Sequence, residues 1–291
     1  MKILLGNTGR GGEQCIFSSI VHAYRSKVGP DAHIEVTTPP QYWSFWKNNK
    51  DISNWTPIKY EPGDPHEGDP VAALRAYFER HRRDFDVIEY PCESAVPFVS
   101  EGEPKSTLYK CYKNIVSPLF KLGEVQRKTF LYPTEDEVKT AREISKKYPR
   151  LLILSHGANS MQHPLSLKGY EKLASMLNEK WDVCYIGTSG ENHMPADPPI
   201  QGANDLRDIG YGSVYSLAES MKLFIGMETA PTFMLAHSDA PMIIMRGDPQ
   251  FPLENTGLTP MGFRKKENTH ELEVLGMPDD EIIEIIQGVI R

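Results

Sequence analysis

Short apolar runs alternate with longer helical patterns along this chain, and the alternation occurs twice. The first series starts at residues 2–5 and the second at Arg150-Leu-Leu-Ile-Leu-Ser155. Short apolar runs suit buried strands, so their alternation with helices is typical of parallel α/β architecture. At 291 residues the chain is long enough for two domains of ordinary size. We therefore predict an α/β fold with domains at residues 1–130 and 131–291; in one alternative the final helix packs back on the first domain.

The same periodicity places the remaining elements. We predict strands at His33–Thr37, Ile58–Tyr60, Phe85–Tyr90, Asp182–Ile186, Leu223–Ile225 and Pro241–Met245. We predict helices at Glu13–Lys27, Val71–Arg83, Ser106–Leu122, Glu135–Lys147, Leu167–Glu179, Ser213–Met221, Pro231–His237 and Asp279–Ile290. Ligands of open α/β sheets bind outside the carboxyl ends of the strands, so the loops that follow the strands are the candidate sites.

Composition and charge argue against several classes of protein. No stretch approaches the roughly 18 consecutive apolar residues of a membrane span, and the net charge of −7 argues against a dedicated nucleic-acid binder. The four cysteines are scattered, without the paired spacing of metal ligands, and no aspartate-rich metal pair is evident. We therefore expect reduced thiols, no bound metal, no transmembrane segment and a cytoplasmic location.

The loop after the first strand, Gly6-Asn-Thr-Gly-Arg-Gly-Gly-Glu-Gln14, is rich in glycine, which lets the backbone approach a ligand closely. It lacks the lysine of a phosphate-binding nucleotidase loop and the glycine spacing of dinucleotide folds. Glu13 lies at the predicted start of a helix, where a carboxylate is electrostatically favoured. It either supports that helix end or acts as a general base. Arg10 is placed to hold an anionic group nearby.

Three further loops with small or polar residues follow predicted strands. Ser155-His-Gly-Ala-Asn-Ser160 and Gly187-Thr-Ser-Gly190 suit contact with a phosphate or a sugar, although each alone is a weak signal. In Lys222–His237 a short strand leads through a polar turn directly into a helix that Pro231 can open. Backbone N–H groups and the helix dipole at such a junction favour anions, above all phosphate. The alternative is an ordinary strand–helix junction.

Two segments of the first half are candidate acceptor surfaces. Tyr42-Trp-Ser-Phe-Trp46 either packs a loop onto the core or forms a stacking platform for a sugar ring or a nucleobase. Lys105–Lys128 holds six basic residues and one acidic residue, with three aromatic residues interleaved. It is either the solvated face of an amphipathic helix or a surface that meets an anionic acceptor.

The order of these motifs resembles that of a known family. Ser155-His-Gly-Ala-Asn159 is similar to a His-Pro-Gly-Ala-Ser motif, and Gly187-Thr-Ser-Gly-Glu191 is similar to a Gly-Gly-Pro-Gly-Glu motif. Phe224-Ile-Gly-Met-Glu-Thr-Ala-Pro-Thr-Phe-Met-Leu-Ala236 is similar to Phe-Val-Gly-Asn-Asp-Ser-Gly-Pro-Met-His-Leu-Ala, and Gly12-Glu13 to a Gly-Asp pair. The chain thus resembles the heptosyltransferase-like glycosyltransferases, carbohydrate-active family nine, of the GT-B fold.

The resemblance implies two Rossmann-like domains that face each other across a cleft, the first binding an acceptor and the second a nucleotide-sugar donor. It implies an inverting, metal-independent hexosyl- or heptosyltransferase that uses a nucleotide-diphosphate sugar as co-substrate and no cofactor. In that scheme Glu13 is the catalytic base. The candidate donor-binding residues are His156, Gly157, Asn159, Gly187, Thr188, Glu228, Thr229, Ala230 and Pro231. The candidate acceptor-binding residues are Arg10, Gly11, Gly12, Trp43 and Trp46.

The chain departs from the family pattern at several positions. Glu228 and Ala230 replace an aspartate and a glycine, Phe233 stands in place of a histidine, and residues 161–164 replace a Lys-x-Trp segment. The acceptor is a saccharide, a lipid-linked saccharide or DNA; the last would make the chain a DNA glycosyltransferase that acts on a flipped hydroxymethylated pyrimidine. A non-catalytic sugar-nucleotide binding protein and a GT-B-type epimerase are further alternatives.

Overall fold

The computed structural model describes residues 1–9, 11–58, 70–89, 128–156, 164–190, 196–227, 229–246, 268–274 and 276–290. These residues form two compact units, one up to Tyr132 and the other from Pro133 onward. Each unit is built on one parallel sheet, so the α/β class predicted from the alternation is confirmed. The helix predicted at residues 106–122 lies outside the described residues.

The first unit contains a four-stranded parallel sheet. Its strands are β1 (Lys2–Gly6), β2 (His33–Thr38), β3 (Asn54–Pro57) and β4 (Val87–Glu89). The spatial order is β3-β2-β1-β4, which makes β1 an inner strand. Ile3, Leu4 and Leu5 of β1 are fully buried, as is typical of a parallel strand covered on both faces.

The helices of the first unit are α1 (Gly11–Val28), α2 (Trp43–Trp46) and α3 (Pro70–Arg80), and a 3-10 turn at Pro40–Tyr42 precedes α2. In α1, Ile16, Phe17 and Ile20 recur at helical spacing and are fully buried, so this helix contributes to the core. The N–H of Phe130 donates to the Ser18 hydroxyl at 2.9 Å, which holds the end of the unit against α1.

The second unit contains a six-stranded parallel sheet. Its strands are β5 (Leu151–Ser155), β6 (Asp182–Ile186), β7 (Asn204–Asp205), β8 (Leu223–Met227), β9 (Met242–Arg246) and β10 (Thr269–Glu273). The spatial order is β10-β9-β8-β5-β6-β7. Leu152 and Leu154 of β5 share one apolar core with Leu223 and Ile225 of β8, so the inner strands define the centre of the unit.

The helices of the second unit are α4 (Glu135–Lys147), α5 (Leu167–Leu177), α6 (Tyr211–Leu217), α7 (Ala230–Leu235) and α8 (Asp279–Ile290). A capping box begins α4: the Thr134 hydroxyl accepts the N–H of Glu137 at 3.1 Å, and the Glu137 carboxylate accepts the N–H of Thr134 at 2.7 Å. Ile282, Ile283 and Ile286 of α8 share the core with α5, so the final helix packs within its own unit.

Three strands differ from the sequence prediction. The third strand, predicted at 58–60, is found at 54–57, because residues 54–57 pair in register with Glu35–Thr38 of β2. Residues 59 and 60 lie outside the described residues. The strands β7 and β10 were not predicted. Both lie at the edges of the second sheet, and both are polar, Asn-Asp in β7 and Thr-His-Glu-Leu-Glu in β10. An edge strand needs no continuous apolar run, so its sequence carries a weaker signal.

Candidate active site

In the first unit the strand order reverses next to β1. The strands β2 and β3 lie on one side of β1, and β4 lies on the other. Ligands of parallel α/β sheets bind outside the carboxyl ends of the strands at such a switch point. The glycine-rich loop leaves β1 at this point and leads into α1, whose first turn carries Glu13. The topology therefore places Glu13 next to the position where a binding site is expected.

The Glu13 side chain lies directly over Gly9. A Cβ atom added to Gly9 would lie 2.5 Å from both Cβ and Oε2 of Glu13, closer than side chains approach in real structures. Glycine is therefore required at position 9 while Glu13 keeps this conformation. Glu13 is half-buried, and its backbone carbonyl accepts a hydrogen bond from Nδ2 of Asn7 at 3.2 Å. A half-buried carboxylate at a helix start is suited to accept a proton from a bound hydroxyl group.

The other residues at the start of α1 have distinct surroundings. Gly11 and Gly12 are its first two residues and are partly exposed. Cys15 is fully buried, and burial raises the pKa of its thiol to about 12. This thiol therefore stays protonated and does not act as a nucleophile.

The two tryptophans of α2 have different surroundings. Trp43 is 50% exposed, and its ring centre lies 4.9 Å from that of Trp55 with a tilt of 45°. Trp46 is fully buried, packs edge-on against Phe17 and donates its indole N–H to Oε1 of Gln14 at 3.0 Å. Trp43 is thus exposed enough to stack on a ligand. The structure corrects the acceptor role expected for Trp46, because a fully buried ring belongs to the core and presents no face to a ligand.

In the second unit the strand order reverses between β5 and β8. The strands β6 and β7 lie on one side of β5, whereas β8, β9 and β10 lie on the other. Ser155, the last residue of β5, pairs with Ile186 of β6 and with Gly226 of β8. The loops that start at His156 and Gly187, and the turn after β8, therefore leave the same edge of the sheet side by side. The structure thus brings the starting points of these three predicted loops together at a switch point.

His156 follows β5 and is only 5% exposed. Its ring lies edge-on to Tyr170 with the ring centres 4.9 Å apart, and its Nδ1 lies 3.4 Å from the Tyr185 hydroxyl and 4.0 Å from Oδ1 of Asp197. Burial raises the pKa of the Tyr185 hydroxyl, and the charge of Asp197 raises it further, so this hydroxyl stays protonated. His156 is therefore held by protein groups, and little of its surface is open to a ligand.

Two aspartates that the sequence reasoning missed fix the loop after β6. Oδ2 of Asp197 accepts the N–H of Thr188 at 2.8 Å, and Oδ2 of Asp208 accepts the N–H of Ser189 at 3.0 Å. A Cβ atom on Gly187 would lie 2.5 Å from Oδ2 of Asp197, so this close approach requires glycine. The amides of Thr188 and Ser189 thus already have acceptors. No spacing pattern links either aspartate to the loop, because the contacts arise from tertiary structure.

The turn after β8 leads into α7, which begins at Ala230. Thr229 is the N-cap residue with an extended backbone, and Pro231 lies in the first turn. The Thr229 hydroxyl makes no capping hydrogen bond to the helix and donates instead to the carbonyl of Met227 at 3.5 Å. The buried Thr232 hydroxyl donates to the same carbonyl. The predicted junction, in which a buried strand feeds directly into a helix N-terminus, is confirmed.

Several predicted site residues lie outside the described residues: Arg10, Gly157, Asn159, Glu228 and nearly all of the basic segment 105–128. Within the described ranges, no group of three or more His, Cys, Asp or Glu side chains is arranged to hold a metal ion. None of the helices that the structure describes is both long enough and apolar enough to span a bilayer.

Several solved structures are similar to this chain over its whole length. ADP-heptose LPS heptosyltransferase II of E. coli matches with a TM-score of 0.60 at 16% identity, over 100% of this chain and 98% of that one. The E. coli heptosyltransferase WaaC with ADP-2-deoxy-2-fluoro heptose matches with a TM-score of 0.61 at 10% identity, over 99% of each chain. A glycosyl transferase of family 9 from Veillonella parvula DSM 2008 matches with a TM-score of 0.58 at 10% identity, over 100% of this chain and 89% of that one.

No protein-family model and no curated sequence matches the chain. The likeness is therefore one of structure, and it extends over both units. Each of these units holds one parallel sheet. The chain has the GT-B fold of these glycosyltransferases, as its motifs predicted.

Proposed function

We propose that this chain is an inverting, metal-independent glycosyltransferase. It moves a hexosyl or heptosyl group from a nucleotide-diphosphate sugar to a hydroxyl group of a saccharide or lipid-linked saccharide. One observation carries the proposal: in each unit the candidate residues leave the carboxyl edge of a parallel sheet at its switch point. The fold shared with glycosyltransferases supports it. The buried free thiols Cys15 and Cys184 support a reducing compartment such as the cytoplasm.

Glu13 is the proposed general base in the first unit. Its carboxylate removes the proton of the acceptor hydroxyl as that oxygen attacks the anomeric carbon from the face opposite the nucleotide. The new carbon–oxygen bond forms while the bond to the diphosphate breaks, and the bonding electrons leave with the diphosphate. Attack from the opposite face inverts the configuration of the anomeric carbon. The contact with Gly9 supports this role because it limits where the carboxylate can lie.

The second unit is the proposed donor site. The leaving diphosphate gains negative charge, and the backbone N–H groups of Thr229 and Ala230 stabilise such charge without rearrangement. Pro231, which has no N–H, lies in the first turn of α7 behind them. Gly187 and Thr188 lie on the neighbouring loop and contact the donor. The resemblance also assigns His156 to the donor, with the 5% of its surface that is exposed. The resemblance assigns Gly157 and Asn159 to the donor as well. It assigns Glu228 to the sugar hydroxyls, from which its carboxylate accepts hydrogen bonds.

The first unit is the proposed acceptor site. Trp43 offers an exposed ring face to a sugar. Gly11 and Gly12, which are partly exposed and precede Glu13, are assigned to the acceptor as well. The positive charge of Arg10 suits an anionic group of the acceptor. Trp46 has no part in this site because it is fully buried.

Thermal unfolding in the presence of sugar nucleotides tests this proposal. UDP-, GDP-, ADP- and CMP-linked sugars, with ADP-heptose among them, are added to the full chain one at a time. A ligand at a hundred times its Kd adds about 2.7 kcal/mol to the free energy of unfolding. We expect one nucleotide class to raise the Tm by several degrees. We also expect slow release of free nucleotide from that donor with water as the attacking hydroxyl, faster release on addition of a saccharide acceptor, and no change with EDTA.

The possible results separate the alternatives. If none of these donors raises the Tm, the chain does not bind a nucleotide sugar and the proposal fails. Stabilisation without any release of nucleotide, with or without acceptors, indicates the non-catalytic binding protein. Loss of turnover in EDTA, restored by a divalent cation, contradicts metal independence while leaving the transfer reaction in place.

A further inference from the structure

Two buried amide side chains hold the backbone of Gly9 in the first unit. Oδ1 of Asn7 accepts the N–H of Gly9 at 2.8 Å, and Nε2 of Gln14 donates to the carbonyl of Gly9 at 2.7 Å. Asn7 and Gln14 are both 0% exposed. The residue after β1 and a residue of α1 therefore pair with both the N–H and the carbonyl of Gly9.

The other ends of the same amides reach the neighbouring helices. Nδ2 of Asn7 donates to the backbone carbonyl of Glu13 at 3.2 Å, and Oε1 of Gln14 accepts the indole N–H of Trp46 at 3.0 Å. One chain of hydrogen bonds thus joins the loop, the first turn of α1 and the helix α2. Buried amides destabilise a fold unless their polar atoms are paired. Here each amide uses both its oxygen and its nitrogen.

This chain of hydrogen bonds ends beneath the Glu13 carboxylate. The Glu13 side chain packs on Gly9, where an added Cβ atom would lie 2.5 Å from Oε2. Gly9 cannot shift without loss of two hydrogen bonds, and the Glu13 backbone is tied to Asn7. The position of the carboxylate therefore depends on the buried amides.

We infer that Asn7, Gln14 and Trp46 are positioning residues for Glu13. All three are fully buried, so they do not touch a ligand; they act by holding Gly9 and the first turn of α1. The inference rests on the proposed function, in which Glu13 is the base. A displacement of a reacting group by about 1 Å lowers a rate about 100-fold. Loss of the hydrogen bonds should therefore slow turnover and leave donor binding in the other unit unchanged.

Two substitutions test this role. Gln14→Met keeps the length of the side chain and removes both of its hydrogen bonds. Trp46→Phe keeps an aromatic ring in the core, removes the indole donor along with part of the ring volume, and leaves Gln14 in place. Tyr132→Phe is the matched control, because it removes one hydroxyl donor, to Asp51 at 2.7 Å, elsewhere in the same unit. The same measurements are made on Glu13→Gln, which tests the proposed function itself.

Two readouts are taken on each variant of the full chain: hydrogen exchange of the amides of residues 7–14, and nucleotide release from the sugar nucleotide that most stabilises the wild type. We expect faster exchange in Gln14→Met and Trp46→Phe. We expect release at saturating donor to fall by about 10- to 100-fold with the KM for the donor unchanged. Tyr132→Phe should match the wild type in both readouts.

Folded variants with wild-type exchange, or with wild-type release at saturating donor, overturn the inference. If Gln14→Met does not fold, the inference is tested on Trp46→Phe alone, by its hydrogen exchange and its nucleotide release. A Glu13→Gln variant that releases nucleotide as fast as the wild type contradicts the proposed function instead. In that event the exchange rates alone decide whether Asn7, Gln14 and Trp46 hold the loop.

Discussion

At the scale of single residues, Gly9 is a position with little freedom. An alanine there places Cβ 2.5 Å from two atoms of Glu13, and the Gly9 backbone is held by two side-chain hydrogen bonds. We expect Gly9→Ala to lower the free energy of unfolding by about 1–3 kcal/mol, as overpacking does. We expect it to slow nucleotide release by at least about 10-fold, because the carboxylate must move. Denaturant unfolding and a release assay measure the two effects.

Gly288→Ala is the matched control for this substitution. A Cβ atom at Gly288 meets nothing within 4 Å, and the residue lies near the end of α8. Alanine is favoured over glycine in a helix by about 0.5–1 kcal/mol, so we expect equal or slightly higher stability and unchanged release. If Gly9→Ala behaves like Gly288→Ala, Glu13 does not depend on the contact with Gly9.

The sequence predicts single site residues only where a local pattern marks them. Glu13 ends a glycine-rich loop, and Thr229 lies between an apolar strand and a proline-containing helix start, so both could be identified. The sequence leaves open whether Trp46 packs on the core or stacks on a ligand, because its burial depends on contacts with another helix, such as the hydrogen bond to Gln14. Asp197 was missed for the same reason, since its contact with the loop after β6 is made only in the folded chain.

At the scale of elements, prediction succeeds where the residues of an element carry its pattern. The strands β5 and β8 are apolar runs, and α4 has acidic residues in its first turn and basic residues in its last. The strands β7 and β10 carry no such pattern, because they form by pairing with the free edges of β6 and β9. Pairing with β2 likewise fixes the place of β3.

The capping box of α4 gives a prediction at this scale. Thr134→Ala removes the hydroxyl that accepts the N–H of Glu137, and we expect a loss of about 1 kcal/mol in the free energy of unfolding. Thr140→Ala is the control within the same helix, where the hydroxyl bonds only to the carbonyl of Asp136. Alanine is the best helix former, so this change should be neutral or slightly stabilising. Equal losses in the two variants, measured by denaturant unfolding, would mean that the cap does not stabilise α4.

At the scale of the whole molecule, the two units have the same type of topology. Each has a parallel sheet whose strand order reverses once, and in each the loops with small residues leave the carboxyl edge at that reversal. The alternation of apolar runs predicts parallel sheets, but it does not fix the spatial order of their strands. That order decides which loops become neighbours, as β5, β6 and β8 show.

The central claim is that Glu13 is the base of a sugar transfer. The most direct test is the rate of nucleotide release by Glu13→Gln at saturating sugar nucleotide, beside Glu13→Asp, which keeps a carboxylate. We predict that Glu13→Gln releases nucleotide about 10²- to 10⁴-fold more slowly than the wild type, with the donor-induced rise in Tm unchanged. Glu13→Asp should retain more activity than Glu13→Gln. A Glu13→Gln variant that releases nucleotide at the wild-type rate would contradict the assignment of Glu13 as the base.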